Sequence, residues 1–393
     1  MDVTLRNFFG KINALFLSLL PVIMVYKTPG LEIGLSTFLI IVFSINALLF
    51  NVFYFSFAYV KKVLPIALFL VYVATRNIGF DVFMPIIIIL FILAFSAGAA
   101  ECSFLKKIIE MVSCVASFCL LIQVVVHAFS YVHIPMIGNN LLLDSLKVYE
   151  HSINTGYSEV SQMYRPSAFF LEPSHFAQYC IVGLGLSLYE NNKMRSFFIS
   201  LGILLTTSGL GFVLVFAIWS WWYLSNNGVR SLQVHAKKII ALLMVIPPLL
   251  FLLSNTSFFK KVISRFLTTE SSGGYNAIDG RLFWWNKYFG QLSWNDLIVG
   301  YGADQLPDCY FTGFMSVLYA YGIIGVFLLL LSYIFLAVKS DRLIRFLSVM
   351  YIGLFFVSNL TNMINLIFTF GVIFTLLFYE NNFIHKNLWE KNV

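Results

Sequence analysis

The stretch FTGFMSVLYAYGIIGVFLLLLSYIFLAV, residues 311–338, runs for 28 residues without an Asp, Glu, Lys or Arg. A helix needs about 20 mostly apolar residues to cross the hydrocarbon core of a bilayer, so this stretch reads as a spanning helix. The same reading extends outward in both directions. Apolar runs cover 12–26, 31–59, 63–75, 82–100, 108–130, 175–190, 239–254, 343–358 and 361–380. A further run, 197–224, is interrupted by Thr206-Thr207-Ser208-Gly209-Leu210-Gly211. Glycines beside hydroxyl residues make a poor helix interior. The run therefore reads as two short helices meeting at a tight bend, with one kinked span as the alternative. The chain is expected to be all-α, a polytopic membrane protein of about 12 spans (10–12). It forms a single integral membrane domain over 1–393 with both termini on one side, and 63–75 is its shortest span.

Composition agrees. Hydrophobic residues make up 60% of the 393, mean hydropathy is +0.86, and only 11% are charged, against about 25% in soluble domains. The formal charge of +7 includes no basic run with interleaved polar residues, so nucleic acid is not an expected partner. The five cysteines, Cys102, Cys114, Cys119, Cys180 and Cys309, show no C-x-x-C spacing and signal neither a zinc site nor a disulfide framework. The polar start, Met1 to Lys11, is followed by no small-residue cleavage site, so the first helix is expected to be retained.

Lys and Arg orient the spans, because short cytoplasmic loops collect them. With the N-terminus inside, tight clusters fall inside: Lys61 and Lys62, Lys106 and Lys107, Lys193 and Arg195, Lys237 and Lys238, then Lys339, Arg342 and Arg345. The outside set, Lys27, Arg76, Lys147, Arg165, Lys260, Lys261, Arg265, Arg281 and Lys287, is spread mainly over two long loops. These loops, 131–174 and 255–310, are the sizeable polar regions, and loops of such length are usually functional or disordered. Both carry aromatics: Tyr149, Tyr157, Tyr164 and Phe169 in the first; Phe283, Trp284, Trp285, Tyr288, Phe289 and Trp294 in the second. The run 281–294 has the spacing of an amphipathic helix at a membrane surface. Any chemistry is expected at this external face.

No G-x-x-x-x-G-K-[ST], H-E-x-x-H or D-x-D motif is present, so neither a bound nucleotide nor a metal is expected, and no cofactor. What the loops offer is arginine: Arg165, Arg265 and Arg281. The guanidinium fork suits phosphate and pyrophosphate oxygens, and such groups stabilise charge on a departing pyrophosphate. Each also has a plainer reading. Arg165 could anchor its loop to lipid headgroups, Arg281 could snorkel at the interface, and Arg265 could belong to a solvated basic face. Glu172 could be a favourable charge at a helix start or a catalytic carboxylate. His175 could pack locally or act as a general base. Ser208, Gly209 and Gly211 serve backbone geometry.

The segment Arg165-x-x-x-Phe169-x-x-Glu172-Pro173-Ser174-x-Phe176-Ala177-x-Tyr179 resembles the arginine-to-EPS-x-F-A segment of bacterial O-antigen polymerases of the Wzy type. Thr206-Thr207-Ser208-Gly209-x-Gly211 is similar to the T-x-S-x-G bend of these proteins and of the related O-antigen ligases. Gly280-Arg281-x-x-x-Trp285, Ile298-Val299-Gly300-Tyr301-Gly302 and Tyr321-Gly322-Ile323-Ile324-Gly325 follow in the family's order. The resemblance spans roughly 165–325. It implies a metal-independent, inverting glycosyltransferase at the periplasmic face of the inner membrane, with both loops periplasmic and both termini cytoplasmic. The reaction implied is polymerisation of undecaprenyl-diphosphate-linked oligosaccharide repeat units, among membrane lipids and with a chain-length-regulating co-polymerase as a further partner. On this reading Arg165 and Arg281 hold the donor diphosphate, and Glu172 or His175 orients or deprotonates the acceptor hydroxyl. Arg265, Tyr164, Trp285, Tyr301 and Asp308 are the expected substrate-binding residues. Two departures stand out. Phe311 occupies the place where some relatives carry His or Asp, with Asp308 three residues earlier, and Phe176 breaks an arginine-to-glycine spacing found in some polymerases. Two other readings stay open: an O-antigen ligase on the same scaffold, and a flippase of lipid-linked sugars. The flippase requires midplane charges, which these spans nearly lack.

Overall fold

The computed structural model describes residues 3–24, 26, 34–50, 57–76, 98–130, 166–170, 172–206, 210–223, 225, 285–290, 292–307, 311–338, 340–358 and 363–390. Among them the chain is helical and forms no strand. In order come α1 (Val3–Ile23), α2 (Leu35–Phe50), α3 (Phe57–Arg76), α4 (Cys102–Ser130), α5 (Pro173–Tyr189) and α6 (Lys193–Leu205). Then follow α7 (Leu210–Tyr223), α8 (285–289), α9 (Trp294–Val299), α10 (Gly313–Ala337), α11 (Arg342–Val357) and α12 (Met363–Glu390). The expected spans 82–100, for the most part, and 239–254 lie outside the described residues, as does most of both long loops. Contacts divide the chain into two units. The first is Met1–Ser113, Gly138–Ser152 and Lys287–Val393; the second is Cys114–Ile137 and Ile153–Asn286.

Two described helices, α4 and α10, are long and apolar enough to cross a membrane. At a rise of 1.5 Å per residue, α4 is roughly 43 Å long. Its polarity runs opposite to that of a helix bathed in water. Met111, Val115, Phe118, Val125 and Phe129 are exposed, while Ser113, Ser117 and Gln123 are buried. The outward residues fall on one helical stripe, and small polar residues on the packed face suit helix association in lipid. On α10, Phe327, Ile334 and Phe335 are likewise exposed while Ser316 and Ser332 are buried. Glu101 starts α4 by accepting from the backbone N–H of Ser103 (3.1 Å) and Phe104 (2.6 Å), satisfying donors that every helix start leaves open.

In the first unit α3 packs antiparallel on α10. Near the start of α3, Lys62 Nζ donates to Ser340 Oγ (2.5 Å), beyond the end of α10. At the other end Tyr72 and Arg76 reach the segment just before α10. The helix is longer than the run 63–75 because it begins ahead of Lys61 and Lys62 and tolerates Pro65. Tyr333 of α10 stacks on Phe370 of α12 (4.9 Å) and on Tyr351 of α11 (6.2 Å). In the second unit α5 packs on α6, and α5 is buried from Phe176 to Leu188. The run 197–224 is two helices: α6 ends at Leu205 and α7 begins at Leu210. A Cβ on Gly211 would press on the Ile203 side chain at 2.9 Å, so that glycine permits the close return.

Candidate functional site

In the second unit, the turn before α5 is built from Pro166 to Phe170. Ala168 has φ 51, the left-handed region that a side chain disfavours. Three bonds hold it there. Ala168 N–H donates to Gln123 Oε1 (2.9 Å), Phe170 N–H to the Ser167 carbonyl (3.0 Å), and Ser167 Oγ to the Phe170 carbonyl (2.8 Å). Phe170 is fully buried against Phe176 (5.7 Å) and Tyr179 (5.3 Å) and stacks on Phe169 (5.1 Å). Of the aromatic members of the 165–179 motif, Phe176 and Tyr179 are therefore core, and Phe169 is half-buried at its edge.

Glu172 remains outside that core. It occupies the N-cap of α5 with extended backbone, and Pro173 follows at the first helical position, a place where a missing N–H costs nothing. Its carboxylate makes no cap bond; Glu172 is exposed and accepts from Ser174 Oγ at 3.0 Å. Backbone position and side-chain chemistry are thus separate at this residue. His175, one turn in, is half-buried, and its Nδ1 is buried with no hydrogen-bond partner. Glu172 and His175 are the two expected site residues that the structure brings together. Tyr164, Arg165, Arg265, Arg281 and Asp308 lie outside the described residues.

In the first unit, two glycine motifs form one junction. Gly322 has φ 62 and ψ −168, which breaks α10 internally. The break frees carbonyls that the helix would otherwise use. Two of them accept from the 301–302 segment: Tyr301 N–H to the Tyr319 carbonyl and Gly302 N–H to the Ala320 carbonyl, each 2.9 Å. Gly300 (φ 82) lies against the Ala320 carbonyl, and Gly322 lies against the Ile298 carbonyl, so a Cβ on either would overlap backbone. Helix α3 holds the same loop from its other side. Tyr72 OH donates to the Val299 carbonyl (2.8 Å), and Arg76 Nη2 donates to the Gly300 carbonyl.

Around this junction the aromatics gather. Tyr319 packs on Tyr301 (5.1 Å), Phe311 (5.8 Å), Phe289 (6.0 Å) and Tyr288 (6.1 Å). Phe311 is buried in this cluster. Helix α9 starts with a capping box in which Ser293 and Asp296 bond each other reciprocally. The Ser293 hydroxyl holds the Asp296 carboxyl below its ordinary range, and the Tyr301 hydroxyl adds to the effect. Tyr301 is pushed up in return, first by loss of water and then by the facing carboxylate. Both residues are half-buried. Trp285 is half-buried in the first turn of α8. The expected amphipathic run 281–294 is not one helix among the described residues, because α8 stops at Phe289 before Gly290 and α9 restarts at Trp294. Sequence reasoning missed the grips of Tyr72, Arg76 and Gln123. Nothing local announces them, since each reaches a carbonyl or amide far along the chain. Among the described residues no cluster of three His, Cys, Asp or Glu is placed to bind a metal ion.

No protein-family model and no curated protein matches this chain.

Proposed function

We propose that the chain is a glycosyltransferase of the O-antigen polymerase type, an inner-membrane protein of about 12 spans whose two long loops face the periplasm. It joins oligosaccharide repeat units carried on undecaprenyl diphosphate: the growing chain leaves its lipid diphosphate and passes to a sugar hydroxyl of the incoming unit. Arg165 and Arg281 hold the donor diphosphate, and Glu172 or His175 serves the acceptor.

The observation that carries this reading is the Gly300–Gly322 junction. Two short motifs, singled out by resemblance and separate in sequence, are halves of one element with no space for a side chain. Chance glycines in a greasy chain have no reason to meet in this way. A second support is the start of α5, where a strained turn leaves a carboxylate exposed without a capping duty. A third concerns orientation. Lys62, Ser340 and Arg345, expected inside, share one end of the α3–α10 pair, and Arg76 and Gly300, expected outside, share the other.

The test is the surface polysaccharide of a deletion strain carrying plasmid-borne variants. Arg165→Ala or Arg281→Ala is expected to leave single-repeat lipopolysaccharide without the long-chain ladder. Normal ladders from both variants would sink the diphosphate assignment. The deletion itself separates the ligase: loss of a polymerase leaves one repeat on the lipid A core, and loss of a ligase leaves none.

A further inference from the structure

Three outward apolar stripes of the first unit run to one polar end. On α3, the exposed Val71, Leu68 and Leu64 lead to exposed Lys61. On α10, Phe327 and Ile334 lead to Val338, just ahead of Ser340. On α11, Phe356 and Val349 lead to exposed Arg345. Residues at these spacings share a helix face, so each stripe is continuous. Ser340 draws the ends together: its Oγ accepts from Lys62 Nζ, and its carbonyl accepts from Arg345 Nη2 at 3.2 Å.

The charges at this end do not cancel. Among the described residues Lys61, Lys62, Arg342 and Arg345 stand against Asp341 and Glu380, four cations against two carboxylates. Asp341 is engaged as the N-cap of α11, accepting from the Arg342 N–H at 2.7 Å. Glu380 of α12 acts on Lys62 electrostatically, yet its Oε2 is buried with no hydrogen-bond partner. Helix dipoles do not close the gap. The carboxyl end of α10 brings about half a negative charge, and the start of α11 about half a positive one. Arg342 and Arg345 open α11, which is the end of a helix where its dipole disfavours cations.

We propose that this end of α3, α10 and α11 is a binding site for an anionic phospholipid, with the phosphate on Lys62 and Arg345 and the acyl chains along the outward stripes. Basic pockets between spanning helices suit such headgroups. Lys62 and Arg345 each give Ser340 one donor, which leaves further N–H groups of the ammonium and the guanidinium for phosphate oxygens. Their long stems lie along apolar surface while the charged heads stand at its edge. The site lies at the opposite end of α3 from the Gly300 junction and does not depend on the reaction proposed above.

The test is binding of phosphatidylglycerol and of phosphatidylcholine with the same acyl chains to the purified full chain in a non-ionic detergent, read by native mass spectrometry. One cation beside an anionic headgroup corresponds to about fivefold in affinity, and an excess of two to roughly thirtyfold. Wild type is expected to prefer phosphatidylglycerol by about that larger factor. Arg345→Gln is expected to lower the preference about fivefold, and Arg345→Lys to keep it within about twofold. Lys107→Gln removes an exposed cation of α4 outside the cluster and is expected to leave the preference unchanged. Inorganic phosphate is expected not to displace the lipid. Equal affinity of wild type for the two lipids overturns the proposal. So does a loss in Lys107→Gln equal to that in Arg345→Gln, which would make the attraction a diffuse surface charge. Equal losses in Arg345→Lys and Arg345→Gln would confine the residue to holding Ser340 and overturn its phosphate role. Displacement by inorganic phosphate makes this a site for free anions and overturns the lipid assignment. If Arg345→Gln does not fold, Lys62→Gln decides, and an unchanged preference in that variant overturns the proposal.

Discussion

Glu172 shows how one residue divides its duties between backbone and side chain. Its φ and ψ end the turn and admit Pro173 into the first helical position, while its carboxylate stays exposed on Ser174. Glu172→Gln keeps the backbone and nearly the shape. Exposed substitutions of this kind change stability by about 0.5 kcal/mol or less, so the thermal midpoint is expected to hold. On the proposed function, polysaccharide output is expected to fall by roughly a hundredfold or more if the carboxylate takes or holds the acceptor proton. Full ladders from Glu172→Gln would confine the residue to starting the helix. The sequence alone left capping and chemistry level, because an acid before Pro-Ser suits both. The structure adds that the carboxylate makes no cap bond, and no pattern in the chain announces where a side chain bends.

At the scale of elements, the junction between α3, α9 and α10 sets the tolerance of the molecule to small changes. Gly322→Ala puts a methyl group into the Ile298 carbonyl at a positive φ, and a clash with backbone cannot relax by rotamer. The loss is expected to be several kcal/mol, among the large single-site effects, read as a lower unfolding midpoint and reduced yield. Gly353 in α11 is the control, since a Cβ there meets nothing within 4 Å. Gly353→Ala is expected to be neutral or to stabilise by up to about 1 kcal/mol through helix propensity. The run 311–338 was legible as a helix and the 321–325 glycines as a motif, but the break at Gly322 was not. Its left-handed backbone is imposed by Ile298 and Val299 packing from outside the helix. The short reading of α3 failed for a related reason. Lys61 and Lys62 looked like a boundary, yet a helix can carry lysines near its end when their long stems reach a polar partner, as Lys62 does at Ser340.

At the scale of the whole molecule, the telling property is the apolar side chains that α4 turns outward. Phe118 and Phe129 of α4 are 54% and 86% exposed while Ser113 and Ser117 are buried, an arrangement that water penalises and lipid does not. Phe118→Lys near the middle of α4 is expected to cost about 2.5–3.5 kcal/mol of insertion and to lower recovery in the membrane fraction, with Phe118→Leu recovered as wild type. Unchanged membrane recovery of Phe118→Lys would place that face against water. Composition pointed to a membrane helical protein before any geometry, because 60% hydrophobic with 11% charged departs from the about 25% charged of soluble domains, and the helices are compatible with it. Which side chains share an interior was not legible. It depends on pairings such as Tyr333 on Phe370 and Tyr351, brought together from three helices.

The grip of α3 on the Gly300 loop also carries a clock. Arg76 and Gly300 are 224 residues apart, and a ribosome adds about 5–20 residues per second, so α3 waits on the order of 11 to 45 seconds for the partner of its arginine. The partner of Lys62, Ser340, is made later still, 278 residues on. Through that interval the newborn helix has both ends unclasped. A nascent chain cut short before Gly300 releases a helix whose charges have nothing of their own protein to hold.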